Sequence, residues 1–165
     1  MRRFSLILIC LISAGALFAS GSSGGTASGT TTSSSTSAAA GPSTALDWYN
    51  VGYAAANAGK FQDGVNAFTK AIALKSDYAE AYNMLGFCTR KLGNVKLAFT
   101  YYDKALSLKP NFPEAREYYG EAYLQLGNLP RAVQQYVILV KAGSAKNANE
   151  LLDQISDYVN KNANG

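Results

Sequence analysis

Few side chains in this sequence are of a type that performs chemistry, and their spacing argues against catalysis. There is no histidine among the 165 residues, which removes the usual general base and the commonest metal ligand. Cys10 and Cys88 are too few for a disulfide framework, and no imidazole is present to activate either thiol, so both read as small packed hydrophobes. The carboxylate pairs Glu114/Glu117 and Asp153/Asp157 are expected on exposed helix faces, with no pocket implied. The glycine-rich stretch 21–29 has neither the lysine of a phosphate loop nor its flanking strand and helix. Lys70, Lys75, Lys104 and Lys109 recur at 34-residue spacing. They read as solvated residues that complement helix C-termini, in preference to a basic stripe for anions. No enzyme, cofactor or metal site is expected.

Composition agrees with a binding module. Hydrophobic residues make up 48% and charged residues 16%, which excludes a disordered polyelectrolyte. The formal charge is +4. With Arg2 and Arg3 set aside, 13 basic residues face 11 acidic ones, too near neutrality for nucleic acid to be the partner.

Three zones follow along the chain. Residues 1–19 place Arg2 and Arg3 before an apolar run, 4–19, that ends in small residues. This is the layout of a secretory signal, with an uncleaved anchor as the alternative and then the only contact with a membrane. The chain is therefore expected to be exported, periplasmic or extracellular. Residues 20–44 hold nine Ser, six Thr, five Gly, four Ala and one Pro, a composition that cannot bury enough apolar surface to order itself and reads as a flexible linker. Residues 45–161 carry the remaining charge and nearly all the aromatics, and they repeat.

Three units of 34 residues align as 45–78, 79–112 and 113–146. The columns are Trp48/Tyr82/Arg116, Val51/Leu85/Tyr119, Gly52/Gly86/Gly120, Gly59/Gly93/Gly127, Gly64/Ala98/Ala132, Phe68/Tyr102/Tyr136 and Ala71/Ala105/Leu139. Apolar groups three and four apart make one helical face in each unit's first 14 residues. Glycine at 59, 93 and 127 then turns the chain into a second helix that carries Phe68, Tyr102 or Tyr136 back toward the first. A mid-helix glycine is unfavourable by about 1 kcal/mol relative to alanine. Gly52, Gly86 and Gly120 therefore imply close approach of the paired helices with no side chain between them, against the small residues Gly64, Ala98 and Ala132. Residues 148–159 place Leu151, Leu152, Ile155, Tyr158 and Val159 on one stripe, which reads as a capping helix over 147–161 with a tail at 162–165. In the third unit Ile138 replaces the repeated lysine. The cap is expected to cover this apolar edge; the alternative is a self-association patch.

These columns resemble the tetratricopeptide repeat family. The likeness is most complete in the second unit, which ends in Lys109-Pro110, whereas Arg116, Ala55, Thr89, Ser76 and Ser144 depart from the family pattern. The resemblance implies an all-α, right-handed α-solenoid of three helix pairs plus the C-terminal capping helix, its first helices lining a concave groove. It further implies that Leu46, Tyr49, Asn50, Tyr53, Asn83, Met84, Phe87, Arg90, Glu117, Tyr118 and Glu121 face that groove. There the rings would supply contact area and Asn50 and Asn83 would bond a peptide backbone. The alternative for Tyr49, Phe87 and Tyr118 is core packing between units. Tyr49, Tyr53, Met84, Glu114 and Tyr118 stand where chaperone-binding members carry a basic and amide clamp for a carboxylate, so recognition of chaperone tails is not inherited. The expectation is a protein- or peptide-binding adaptor of the cell envelope. A self-associating structural subunit and an anionic-glycan binder are the rivals.

Overall fold

The computed structural model describes residues 41–163. The leader at 1–19 and the linker up to residue 40 lie outside the described residues, as do the last two positions. Seven helices follow one another within them: α1 Ala45–Asn57, α2 Phe61–Leu74, α3 Ala79–Lys91, α4 Val95–Leu108, α5 Pro113–Gln125, α6 Leu129–Lys141 and α7 Ala145–Ala163. No strand occurs among the described residues.

Local chemistry sets these limits. Thr44 Oγ1 accepts the Asp47 N–H at 3.1 Å while the Asp47 carboxylate accepts the Thr44 N–H at 2.9 Å, a reciprocal cap that starts α1. That backbone donor holds the Asp47 carboxyl below its usual range. Asn94 and Asn128 cap α4 and α6 by accepting from Leu97 N–H and Arg131 N–H. Each hairpin turns at a glycine in the left-handed region: Gly59 at φ 72°, Gly93 at 89° and Gly127 at 72°. Gly143, at φ 71°, repeats the device after α6. The last helix consequently begins at Ala145, two residues before the expected 147, and runs to Ala163 instead of ending at 161.

Helices pair as α1/α2, α3/α4 and α5/α6, and each second helix packs on the next unit's first. The helices of the first pair do approach closely, an added Cβ on Gly64 lying 3.5 Å from the Gly52 carbonyl oxygen, but the mid-helix glycines mainly admit side chains. A Cβ on Gly52 would lie 2.8 Å from the Phe68 ring, and one on Gly86 would lie 2.6 Å from the Tyr102 ring. Each glycine is thus a seat for a fully buried aromatic of the partner helix. Gly64 makes room for Cys88, whose Sγ would meet an added Cβ at 2.8 Å. Cys88 is wholly buried, and burial pushes its thiol up to about 11, which suits an unreactive packed side chain.

The third unit departs from the other two. The group seated on Gly120 is Leu151 of α7, at 2.5 Å from an added Cβ, and Tyr136 is only half-buried beside it. Leu139, Leu151 and Ile155 form the buried contact of the cap, whereas Leu152 and Val159, expected on the same stripe, are exposed. Ile138 is not under the cap. It lines a cavity of about 250 Å³ with Leu139, Phe112, Pro113 and Arg116, and no residue of α7 lines that cavity. Arg116 donates to the Pro110 carbonyl at 3.1 Å. In the first two units the equivalent pair is a ring under a cation: Lys70 Nζ lies 3.9 Å from the Trp48 ring centre and Lys104 Nζ 5.9 Å from that of Tyr82.

Candidate functional site

All three first helices contribute to one open cavity of about 420 Å³. Tyr49 and Tyr53 come from α1, Asn83 and Met84 from α3, and Tyr118 from α5. The helical spacing of four places Tyr49 and Tyr53 on the same face. Their rings stack at 6.1 Å and 21°, and Tyr49 also stacks on Tyr78 at 5.2 Å. Burial pushes the Tyr49 phenol up to about 12, helped by the neighbouring Tyr78 and Tyr53 and by Glu80 and Glu114. Burial, with Glu117 nearby, does the same for Tyr118, again to about 12. Both hydroxyls are therefore neutral donors at physiological pH. Asn83 is 3% exposed, and its Oδ1 has no hydrogen-bond partner. Such an acceptor is unfavourable by about 1–3 kcal/mol when left unmet.

Charge lies at the rim. Glu80 accepts from Lys109 Nζ at 2.9 Å, and Lys109 also sits 4.4 Å from the Phe112 ring centre. Burial works against ionisation of Glu80, yet the Lys109 ammonium and the backbone hold its carboxyl below the usual value. Glu114 and Lys146 complete the rim, both exposed.

The other residues expected in the groove are engaged elsewhere. Phe87 packs between Phe61 at 6.0 Å and Tyr118 at 5.1 Å. Arg90 is 3% exposed, donates to the Tyr102 hydroxyl at 3.3 Å and forms an ion pair with Glu121. Glu117 is buried rather than exposed, and accepts from Asn147 Nδ2 of α7 at 2.6 Å. Burial pushes its carboxyl up to about 7; the Asn147 bond opposes this and Glu150 adds to it. Arg90 and Glu121 border a second cavity, of about 330 Å³, whose far wall is α7 through Gln154, Asp157 and Tyr158. The carboxylate of Asp157 thus does border a pocket. Asn50 and Leu46 are exposed and line neither cavity.

The structure therefore brings together Tyr49, Tyr53, Asn83, Met84 and Tyr118, whereas Leu46, Asn50, Phe87, Arg90, Glu117 and Glu121 do not line that cavity. Sequence reasoning missed Glu80, Lys109, Phe112 and Lys146 in the same wall. For Glu80 a signal existed, since it occupies the second place of its unit, as Leu46 does. For Lys146 the register misled, because it closes the third unit at the place that Phe112 holds in the second, yet it lies on α7, which the repeat pattern does not describe. Among the described residues no group of His, Cys, Asp and Glu is arranged to hold a metal, and no helix is long and apolar enough to cross a membrane.

Tetratricopeptide repeat families match residues 49–113 and 101–134. Among solved structures the chain is similar to the first TPR domain of human RPAP3, at 20% identity over 76% of this chain and 99% of that one, with a TM-score of 0.65. It is also similar to PcrH, solved in complex with the chaperone binding region of PopD, at 22% identity over 71% of this chain and 92% of that one, with a TM-score of 0.62. A third is the type III secretion chaperone SycD of Yersinia enterocolitica, in complex with a peptide of the translocator YopD, at 17% identity over 71% and 93%, with a TM-score of 0.62. At these identities the likeness shows the fold. No curated protein matches the sequence.

Proposed function

The chain belongs to the tetratricopeptide repeat family, and on that premise we propose that it is a non-catalytic adaptor holding an extended segment of a partner protein in the cavity between α1, α3 and α5. The observation that carries this reading is the convergence of Tyr49, Tyr53, Asn83, Met84 and Tyr118 from three separate helices on one 420 Å³ space. Rings give contact area at low entropic cost, and amide and phenol groups bond an extended backbone. PcrH and SycD, with the same helical fold, were each solved holding part of a partner protein. The pattern of Arg2, Arg3 and the apolar run 4–19 supports export to the cell envelope as the setting.

A photo-crosslinking amino acid at position 53, compared with one at exposed position 50, tests the groove. Discrete protein adducts in envelope extract from position 53 alone are expected; the same adducts from both positions count against it. A second reading, self-association, is supported by Val133, Val137 and Val140, which expose 38%, 39% and 51% of their surface along α6. A sedimentation coefficient that rises with concentration, and ceases to rise in Val137→Glu, would favour it.

A further inference from the structure

We infer that the segment held in this cavity presents a basic side chain, lysine or arginine, to the exposed ring of Tyr53, and donates a backbone N–H to Asn83 Oδ1. The inference rests on the groove reading above and adds the chemistry of the occupant.

The argument begins from what the cavity has left unpaired. Asn83 lines the cavity, and its Oδ1, buried and without a donor, is an acceptor still to be met. Glu114, exposed at the rim, has no ion-pair partner among the described residues, whereas Glu80 is already held by Lys109. The exposed ring of Tyr53 carries the negative side of the aromatic quadrupole on its face. Lys146, also without an ion pair among the described residues, offsets Glu114 in charge, which leaves the Tyr53 ring and the Asn83 acceptor as the unmet surface.

The rest of the chain shows how it treats such rings. Lys70 lies over Trp48, Lys75 over Tyr78 at 5.2 Å, Lys104 over Tyr82 and Lys109 over Phe112. Tyr53 is 47% exposed, and no cation among the described residues lies over it or over Tyr49. The cavity thus holds ring surface that the protein's own lysines cover elsewhere. An acidic side chain here would face the Tyr53 ring and Glu114, with Lys146 at the rim as its counter-ion. A basic one would meet that ring, Glu114 and, through its backbone, Asn83.

The test uses the full chain. Random peptides of about twelve residues displayed on phage are selected on the wild-type protein, and the enriched sequences are measured as free peptides by fluorescence polarisation. Enrichment of Lys or Arg beside apolar residues is expected. Affinity should fall about tenfold when the peptide's basic residue is replaced by norleucine, and likewise in Tyr53→Leu and Asn83→Leu, while Tyr53→Phe retains binding. Enriched acidic or uncharged peptides that still depend on Tyr53 would overturn the basic anchor and leave the groove standing. Basic peptides indifferent to both Tyr53→Leu and Asn83→Leu, or no enrichment at all, would overturn the groove itself and the anchor with it.

Discussion

Tyr53 and Glu121 hold the same place in their repeats, two units apart, and the fold treats them in opposite ways. Tyr53 is half exposed on a cavity, with no cation among the described residues over its ring. Glu121 is bound to Arg90, which is itself buried and bonded to Tyr102. The same contrast separates Asn83 from Glu117, the fifth residues of their units: one has an unmet acceptor, the other is bonded to Asn147. A repeat column sets the direction of a side chain from its own helix. Whether that side chain is free depends on what packs across it, and α7 packs across α5. The inner surface of α1 and the start of α3 is thereby left open, and most of that of α5 is used by the fold.

If that division is right, substitutions in the part used by the fold and in the core should act on stability, and those in the open part on binding. The largest effect is expected for Arg90→Ala, which strands Glu121 and the Tyr102 hydroxyl: a loss of about 3 kcal/mol in chemical denaturation. Gly86→Leu drives a side chain into the Tyr102 ring and should cost roughly 2 kcal/mol. Gly120→Leu should cost less, because Leu151 belongs to a terminal helix that can shift; equal losses would remove the distinction between the middle and the end of the stack. Glu117 supplies a pH signature. Its folded pKa, about 7, lies above the ordinary carboxyl value, so the folded state holds the proton more tightly than the unfolded one. The stability linked to it is fully present below about pH 4 and is lost as pH rises through 7. Melting temperature should therefore fall between pH 5 and pH 8 in wild type, and fall less in Glu117→Gln. The smallest effect on stability is expected for Tyr53→Ala, about 0.5 kcal/mol, with peptide binding lost. A drop of several kcal/mol would move Tyr53 to the structural side.

The fold was legible because its signals are local and repeated. Glycines at 59, 93 and 127 mark three turns, and the columns at 52, 64 and 68 mark one packing unit. What escaped were occupancies. The sequence shows Gly120 as a seat and Tyr136 in the column that fills it, yet Leu151, 31 residues away, takes the place, since α7 packs across α5. Burial of Glu117 and pairing of Arg90 with Glu121 were hidden for the same reason: both depend on contacts between units. Of the candidate site, the ring and amide positions on α1 and α3 were readable from repeat register. The rim was not, because Lys109 and Lys146 come from a loop and from the cap.

Asn83→Leu, measured in the ligand-free protein, bears most directly on the division between a surface for binding and a surface for folding. With an acceptor buried and unmet, the apolar isostere should melt at the wild-type temperature or above it, by up to about 1 kcal/mol of added stability. A melting temperature several degrees lower would mean that the amide is bonded within the fold, and that the inner face of α3 serves the stack instead of a partner.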